Sequence, residues 1–517
     1  MQRQYLALGN EDVYNGTYLL AVFKLEPYGN QSLEDAATEV AAESSTGSNV
    51  KVGSATEFSM TLDAQVYELD KENNLVYIAY PWRIFDTGGN VQNILTFIAG
   101  NIYGMSNLKG CKLMDIYLPP QMLGLYDGPS TSLEDMRNYL QVYDRPVLGT
   151  IIKPKIGLTG SEYAELCYDF WTGGGDFVKN DEPQADQEYS PFIKAVDAVR
   201  NAMDLAEDAT GKTKVHSFNV SAPDFDTMIE RADYIQEKMK PGSYAFLIDG
   251  ITAGWMAVQT LRRRYPDVFI HFHRAGHGAF TRKENPFGFS VPVLTKFARI
   301  AGASGIHTGT AGVGKMDGDP KEDVGAMHQC LKIEAQGDYF KQVWSKIEPR
   351  DNDIQVMIDS EASLWEAGPR ELSRMRRQIS RIDTHTNTVH GDWRVVKRCT
   401  PIVSGGMNPL LLGQFIDVAG TIDFIITMGG GIHSHPMKTK AGMQAVMEAF
   451  DAWHDGKSYE EAAHDNKGYD VEAQAALRYY GSHGTQTHRV AQDENYKGSP
   501  STDTSSGATS NDSKTFG

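Results

Sequence analysis

The 517-residue sequence predicts an α/β protein in which an N-terminal α+β domain precedes a C-terminal (β/α)8 barrel. Three observations predict it. Eight short apolar runs of β character recur between about 147 and 431, separated by stretches with helical spacing. Polar, chemistry-bearing residues stand at the C-terminal ends of most of these runs. The segment before them mixes strand and helix signals in the manner of a separate module.

In chain order, "TYLLAVFKLEP", "AQVYELD" and "LVYIAYPW" read as strands, and 31–43 and 90–100 as short helices, which places the N-terminal domain at 1–140. The barrel is expected at 141–455. Its runs are "VLGTIIKPK", "DFVKNDE", "KVHSFNVS", "YAFLIDG", "VFIHFHRAG", "GIHTGT", "TPIVSGG" and "DFIITMGGG". One connection is long: 345–397, between the sixth helix and the seventh run, is expected to be an inserted assembly segment. A helical extension is expected at 456–495. The Ser/Thr/Gly-rich end, 496–517, has no aliphatic side chain larger than alanine and reads as disordered.

Composition narrows the function class. With 41% hydrophobic and 22% charged residues the chain is that of a globular protein with a sizeable core. No run approaches ~18 apolar residues, so no membrane span is expected. A formal charge of -18 argues against nucleic acid as a partner. The N-terminus lacks an apolar signal core, and the four cysteines (Cys111, Cys167, Cys330, Cys399) stand far apart without CxxC spacing. That favours reduced thiols and a cytoplasmic location.

In a barrel the C-terminal strand ends meet at one mouth. Lys153, Lys155, Lys179 to Glu182, His273, Arg274, His307, Ser404 and Gly429 to Gly431 would therefore converge. "SGG" (404–406) and "GGG" (429–431) follow the seventh and eighth runs, where backbone N–H groups hold phosphate, although both also suit plain tight turns. Arg274 and His307 could hold a second phosphate, and two anion sites suit a sugar bisphosphate. "GTAGVGK" (309–315) fits GxxxxGK, but Met316 stands where a nucleotide-binding loop needs Ser or Thr. A glycine-rich loop that carries Lys315 over a ligand fits better.

Strand alternation puts Lys179 and Asp181 on one face, and Glu182 can join them at the strand end. Two readings stay open here. One is a Lys–Asp salt bridge. In the other, carbon dioxide carbamylates Lys179, which then completes a three-anion magnesium site with Asp181 and Glu182. Carbamylation needs the neutral amine, and under ~1% of an ordinary lysine is neutral at pH 8, so burial would have to depress its pKa.

These residues belong to stretches that resemble the large subunit of ribulose-1,5-bisphosphate carboxylase/oxygenase (RuBisCO). The stretches are "AAESSTGSN" (41–49), "GTIIKPKIGL" (149–158), "GGDFVKNDEPQ" (174–184), "HFHRAGHGA" (271–279), "GASGIHTGT" (302–310), "GKMDG" (314–318), "TPIVSGGMN" (400–408) and "GGG" (429–431). The resemblance covers about 15–455. "KNDEP" looks like the form II side of the family, and the insertion like its archaeal form II/III group.

The resemblance implies a ferredoxin-like N-terminal domain and a TIM barrel. It implies carboxylation of ribulose 1,5-bisphosphate with competing oxygenation, one Mg2+ per active site, and activator CO2 held as a carbamate on Lys179. Asp181 and Glu182 would be the other metal ligands. Lys153 would transfer protons, Lys155 would lie beside the substrate, and His273 would be a second acid/base. Lys315 would stabilise the new carboxylate. Arg274 and His307 would hold one phosphate, while Ser404, Gly405, Gly406, Gly429 and Gly430 line the substrate and the other. Ser48 and Asn49 would also contact substrate; the family often has Thr and Trp there. Glu43 and Asn101 match residues that reach the partner subunit's site, so a homodimer with shared sites is implied, without a small subunit. RuBisCO-like enolases or isomerases typically lack several of these positions, whereas Lys153, Lys315, Asn101 and His273 are all present here. A non-catalytic sugar-phosphate scaffold would not call for Lys179.

The insertion carries Trp365, an apolar stripe (Leu372, Met375, Ile379, Ile382) and a basic cluster (Arg370, Arg374, Arg376, Arg377, Arg381). The archaeal group uses an insertion here to join dimers, so this patch is expected to dock on an acidic neighbouring dimer rather than fold back on its own barrel.

Overall fold

The computed structural model describes residues 5–47, 53–316, 318–331, 338–340, 368–377, 396–464 and 472–481. Its N-terminal part is a sheet built from β1 (Tyr18–Pro27), β2 (Gln65–Asp70), β3 (Leu75–Pro81) and β4 (Leu108–Tyr117). β1 lies between β3 and β4 and is antiparallel to both. Two helices cover the sheet for reasons visible in their sequences. Leu33–Glu43 starts where Ser32 accepts the Asp35 N–H, and its small buried residues Ala36, Ala37 and Ala41 let it lie close to the sheet. Val91–Ile98 is capped by Asn90 and buries Val91, Ile94 and Ile98, one face at helical spacing.

The eight runs form a closed parallel barrel. Its strands are β5 (Val147–Ile151), β6 (Phe177–Lys179), β7 (Val215–Asn219), β8 (Tyr244–Asp249) and β9 (Phe269–His273), then β11 (Gly305–His307), β12 (Thr400–Ser404) and β13 (Ile425–Thr427). Helix Leu133–Leu140 plugs the end where the strands begin. Its Leu133, Met136 and Leu140 pack against Val147, Phe177, Val215, Ala245, Phe269, Ile402 and Ile425. Each of these burials apart from Ala245 contributes roughly 1.5–3 kcal/mol. One end is sealed by apolar packing, and chemistry is left to the other.

The strand between β9 and β11 was not anticipated. β10 (Phe287–Phe289) leaves the barrel and pairs in parallel with β4, so the sheet order is β10-β4-β1-β3-β2. The four cysteines are free and buried, as expected.

The inserted segment differs from expectation where it is described. Helix Pro369–Arg376 folds back on its own barrel. Arg376 embraces the Asp423 carboxylate with both Nη groups, the second at 3.0 Å, and the buried Arg137 reaches the same carboxylate at 3.1 Å. Arg377 pairs with Asp144 at 3.3 Å. Arg370 lies over the Trp453 ring and donates to the Trp453 carbonyl at 2.9 Å. Leu372 is buried. The physical reason is that Asp144 and Asp423 stand just before β5 and β13, at the sealed end, within reach of this helix. A guanidinium meets them there without the entropy cost of bringing two molecules together. Arg374 alone of the four described arginines is well exposed and without a named ion pair on this barrel. Trp365, Ile379, Ile382 and Arg381, the Met375 side chain and 496–517 lie outside the described residues.

Candidate active site

Lys179 is the last residue of β6 and is 1% exposed. Burial lowers its pKa from 10.5 to about 8, against the opposing pull of Asp181 and Glu182. Asp181 does not take Lys179 as its ion-pair partner: the Lys153 ammonium donates to it instead. Burial pushes the carboxyls of Asp181 and Glu182 up. For Asp181 the hydrogen bonds with Glu182 and Lys153 overcome it and hold the group well below the usual carboxylate range, whereas Glu182 stays raised.

Neighbouring amides fix the ligand-bearing turn. Gln184 Oε1 accepts the Asp181 N–H at 2.7 Å, and Asn219 Nδ2 donates to the Glu182 carbonyl at 2.9 Å. Asn180 Oδ1 accepts the Asn219 N–H at 2.9 Å. Glu182 in turn faces Lys155 and His273, each at 3.8 Å. Burial lowers the pKa of His273, although Asp249, 3.4 Å from its Nδ1, works against that.

Asp181 and Glu182 together suit a hard divalent cation that gains a further oxygen donor. Among the described residues no three His, Cys, Asp or Glu side chains come together as a metal site. Asp181 and Glu182 could offer two oxygen donors, and the buried amine of Lys179 would add a third only as a carbamate.

Basic side chains and glycine turns make up the rest of the mouth. Arg274 follows β9, and its Nη1 is buried without a hydrogen-bond partner. His307 Nδ1 lies 2.7 Å from Ser404 Oγ. Gly405 and Gly406 have φ of 119° and 81°, and a Cβ on Gly406 would stand 2.5 Å from Lys315 Cγ. The Lys315 N–H donates to the Gly405 carbonyl at 2.9 Å, so the Lys315 loop rests on this glycine turn. A Cβ on Gly429 would stand 2.9 Å from Lys153 Cε, and Gly430 opens a short helix beside it.

Lys153, Lys155, Lys179, Asp181, Glu182 and His273 line one cavity of about 930 Å³ at the barrel mouth together with Arg274, His307, Lys315 and the Ser404–Gly406 and Gly429–Gly431 turns, and the barrel order sets β5 and β6 across from β9 and β11. Glu43 and Asn101 do not line it. They meet each other at 3.2 Å on the exposed edge of the N-terminal domain. Ser48 and Asn49 lie outside the described residues.

Sequence reasoning missed several groups in and around the cavity. Asp249 ends β8, beside His273 rather than in the lining, and obeys the same strand-end rule that singled out its neighbours. Asp323 accepts the Ala311 N–H at 2.9 Å, and burial pushes its carboxyl up to about 6. Tyr480 donates to the Gly431 carbonyl at 2.9 Å from a helical stretch at 472–481, and Tyr479 also faces the cavity. No local motif announces those two.

Family comparison decides the affiliation. The model of the ribulose bisphosphate carboxylase large chain, catalytic domain, matches residues 132–351 and 371–477, and that of the N-terminal domain matches 10–122. The chain belongs to the ribulose bisphosphate carboxylase large-chain family. It is an enzyme of that family, and its closed barrel and mixed N-terminal sheet are the RuBisCO architecture. The ribulose bisphosphate carboxylase of Rhodopseudomonas palustris strain TIE-1 is 38% identical over 474 residues, 89% of this chain and 91% of that one. The one from Rhodobacter capsulatus is 37% identical over 457 residues, 86% and 88% of the two chains. Among solved structures, the octameric RuBisCO of Pyrococcus horikoshii OT3 superimposes with a TM-score of 0.73 at 29% identity, covering 90% of this chain and 94% of that one. The dimeric archaeal RuBisCO of Hyperthermus butylicus gives 0.72 at 30% identity, covering 90% and 96%. RuBisCO membership implies, in general, magnesium and a carbamylated lysine. The two stretches matched by the catalytic-domain model leave out 352–370, inside the inserted segment.

Proposed function

We propose that the chain catalyses magnesium-dependent carboxylation of D-ribulose 1,5-bisphosphate to two molecules of 3-phosphoglycerate. Competing oxygenation gives 3-phosphoglycerate and 2-phosphoglycolate. The observation that carries the proposal is the buried Lys179 amine, lowered to about 8, beside Asp181 and Glu182 in a cavity whose far wall holds an unpartnered arginine donor.

Carbamylated Lys179, Asp181 and Glu182 would hold the ion. When bound, it supplies Lewis-acid polarisation of the substrate ketone. Lys153, which hydrogen-bonds to Asp181, transfers protons at the reacting carbons. His273 has its pKa lowered by burial, so near pH 7 it has a free ring nitrogen to accept a proton, and Asp249 orients it. Arg274 and His307 bind one phosphate. The N–H groups of Gly405, Gly406, Gly429 and Gly430, with the Ser404 hydroxyl, bind the other end of the substrate. Lys315, on the loop over the glycine turn, meets the carboxylate that forms and closes the mouth to water.

Homologous structures in dimeric and octameric form support a homo-oligomer. A homodimer in which Glu43 and Asn101 complete the partner's site fits their distance from the chain's own cavity. Joining of dimers through the 345–397 segment would draw, among its described residues, on the exposed Arg374. A cytoplasmic location fits four reduced cysteines.

Incubation with labelled bicarbonate, ribulose 1,5-bisphosphate and magnesium tests the reading. Label is expected in 3-phosphoglycerate. Recovery of an isomerised, unlabelled sugar phosphate would replace it with an isomerase.

A further inference from the structure

Beneath the cavity floor four side chains form one hydrogen-bonded line across the barrel. Ser217 Oγ on β7 is 3.2 Å from Nδ1 of His271 on β9. His271 Nε2 is 2.9 Å from Nε2 of His307 on β11. His307 Nδ1 is 2.7 Å from Ser404 Oγ on β12. The two imidazole planes lie within 27° of each other with centroids 5.0 Å apart, so the rings meet edge to edge through these nitrogens. His307 and Ser404 line the cavity, whereas His271 is wholly buried behind them and does not.

Burial, above all, pushes both imidazoles well below their ordinary pKa, and Lys179 adds to it at each, so each carries a single N–H. Two neutral rings that meet Nε2 to Nε2 share one proton in that bond, and this couples the whole line. If His271 donates, His307 accepts at Nε2 and carries its own proton on Nδ1, facing Ser404. Ser404 then accepts from His307, and its hydroxyl hydrogen is left to point into the cavity. If His307 donates instead, its bare Nδ1 takes the Ser404 hydrogen away from any ligand. The cavity is lined by Lys153, Lys155, Arg274 and Lys315, so an occupant presents acceptor oxygens.

We propose that His271 is a positioning residue that donates through Nε2 to His307 and so turns the Ser404 hydroxyl hydrogen toward the bound anionic substrate. Ser217 completes the line by donating to His271 Nδ1. The proposal rests on the reading above in that Ser404 lines the substrate.

Nitrogen-15 spectra of histidine-labelled protein, taken with ribulose 1,5-bisphosphate in magnesium- and CO2-free buffer, decide the tautomers directly. Signals are assigned from the His271→Gln and His307→Gln variants. His307 is expected to carry its proton on Nδ1 and His271 on Nε2. The reverse pattern in the unaltered protein overturns the proposal, whatever the variants do. His271→Leu keeps the bulk without the donor; His307 should then move its proton to Nε2, and KM for ribulose 1,5-bisphosphate should rise about ten-fold or more, the weight of a hydrogen bond to a charged ligand. His271→Gln, whose amide can donate at the same place, should restore both readouts, whereas a role in packing alone would leave Gln as impaired as Leu and overturn the proposal. A His307 tautomer that moves in His271→Leu with no change in KM would remove Ser404 from the substrate. That would overturn the proposal together with the substrate-binding assignment of Ser404.

Discussion

Protein stripped of CO2 and then exposed to a fixed concentration of free CO2 across roughly pH 6.5 to 9.5 should form its Lys179 carbamate along a curve that bends near pH 8. Only the neutral amine attacks CO2. With burial lowering the Lys179 pKa to about 8, about a tenth of it is neutral at pH 7, half at pH 8 and nine-tenths at pH 9. The carbamylation rate should therefore rise about five-fold between pH 7 and 8 and less than two-fold between 8 and 9. Labelled CO2 trapped on the protein reports the carbamate, and the onset of activity after magnesium addition reports its consequence. A rate that climbs about ten-fold per unit through pH 9.5 would show an ordinary lysine and refute the burial argument. The same shift has a stability counterpart. The lowered value means that the folded state binds fewer protons than the unfolded one between about pH 8 and 10.5. The cost of burying the charged amine is then fully present below about pH 8 and is relieved as the pH rises toward 10.5, a trend that Lys179→Met should weaken in denaturant titrations while the similarly lowered Lys214 keeps its own share.

Three further outcomes follow from the geometry. Gly406→Ala places a Cβ 2.5 Å from Lys315 Cγ at a φ of 81°, so it should displace the Lys315 loop and lower kcat/KM by about ten-fold or more; an unchanged value would free Lys315 from the glycine turn. Asp423→Ala leaves Arg137 and Arg376 without their shared carboxylate and should cost about 3–5 kcal/mol in chemical denaturation, and a loss under ~1 kcal/mol would show that solvent reaches this end of the barrel. Glu43→Gln and Lys179→Ala subunits, each nearly inactive alone, should recover activity when co-assembled, because a mixed dimer can hold one site without either lesion. Mixed dimers that stay inactive would contradict the shared site.

The barrel was legible because its information is local. Runs such as "KVHSFNVS" and "YAFLIDG" are apolar, short and bounded by polar turns, and each contains its strand. The site was legible for a related reason, since closing a parallel barrel brings every strand end to one mouth and sequence position alone places Lys179, His273 and Ser404 together. What stayed hidden depends on distant partners. "FGF" at β10 is three residues long, and nothing near it names β4 as its neighbour. Asp423 and Asp144 lie far along the chain from Arg376 and Arg377, so the basic helix looked unsatisfied and free to meet another molecule. Tyr480 finds the Gly431 carbonyl from 49 residues away.

β10 has a consequence for anyone who would divide the chain. The Phe287–Phe289 strand belongs by sequence to the barrel half but completes the edge of the N-terminal sheet. Tyr103, in the turn that begins at Asn101, donates to the Gly288 carbonyl at 2.5 Å. A barrel expressed from residue 141 onward would carry this strand without its ladder and strip Tyr103 from the Phe287 ring, while the N-terminal fragment would expose the unpaired rim of β4. Both pieces would then present a ready template for non-native pairing. The join between the halves is interwoven, so swapping N-terminal domains between relatives should succeed only when the 274–290 loop travels with them.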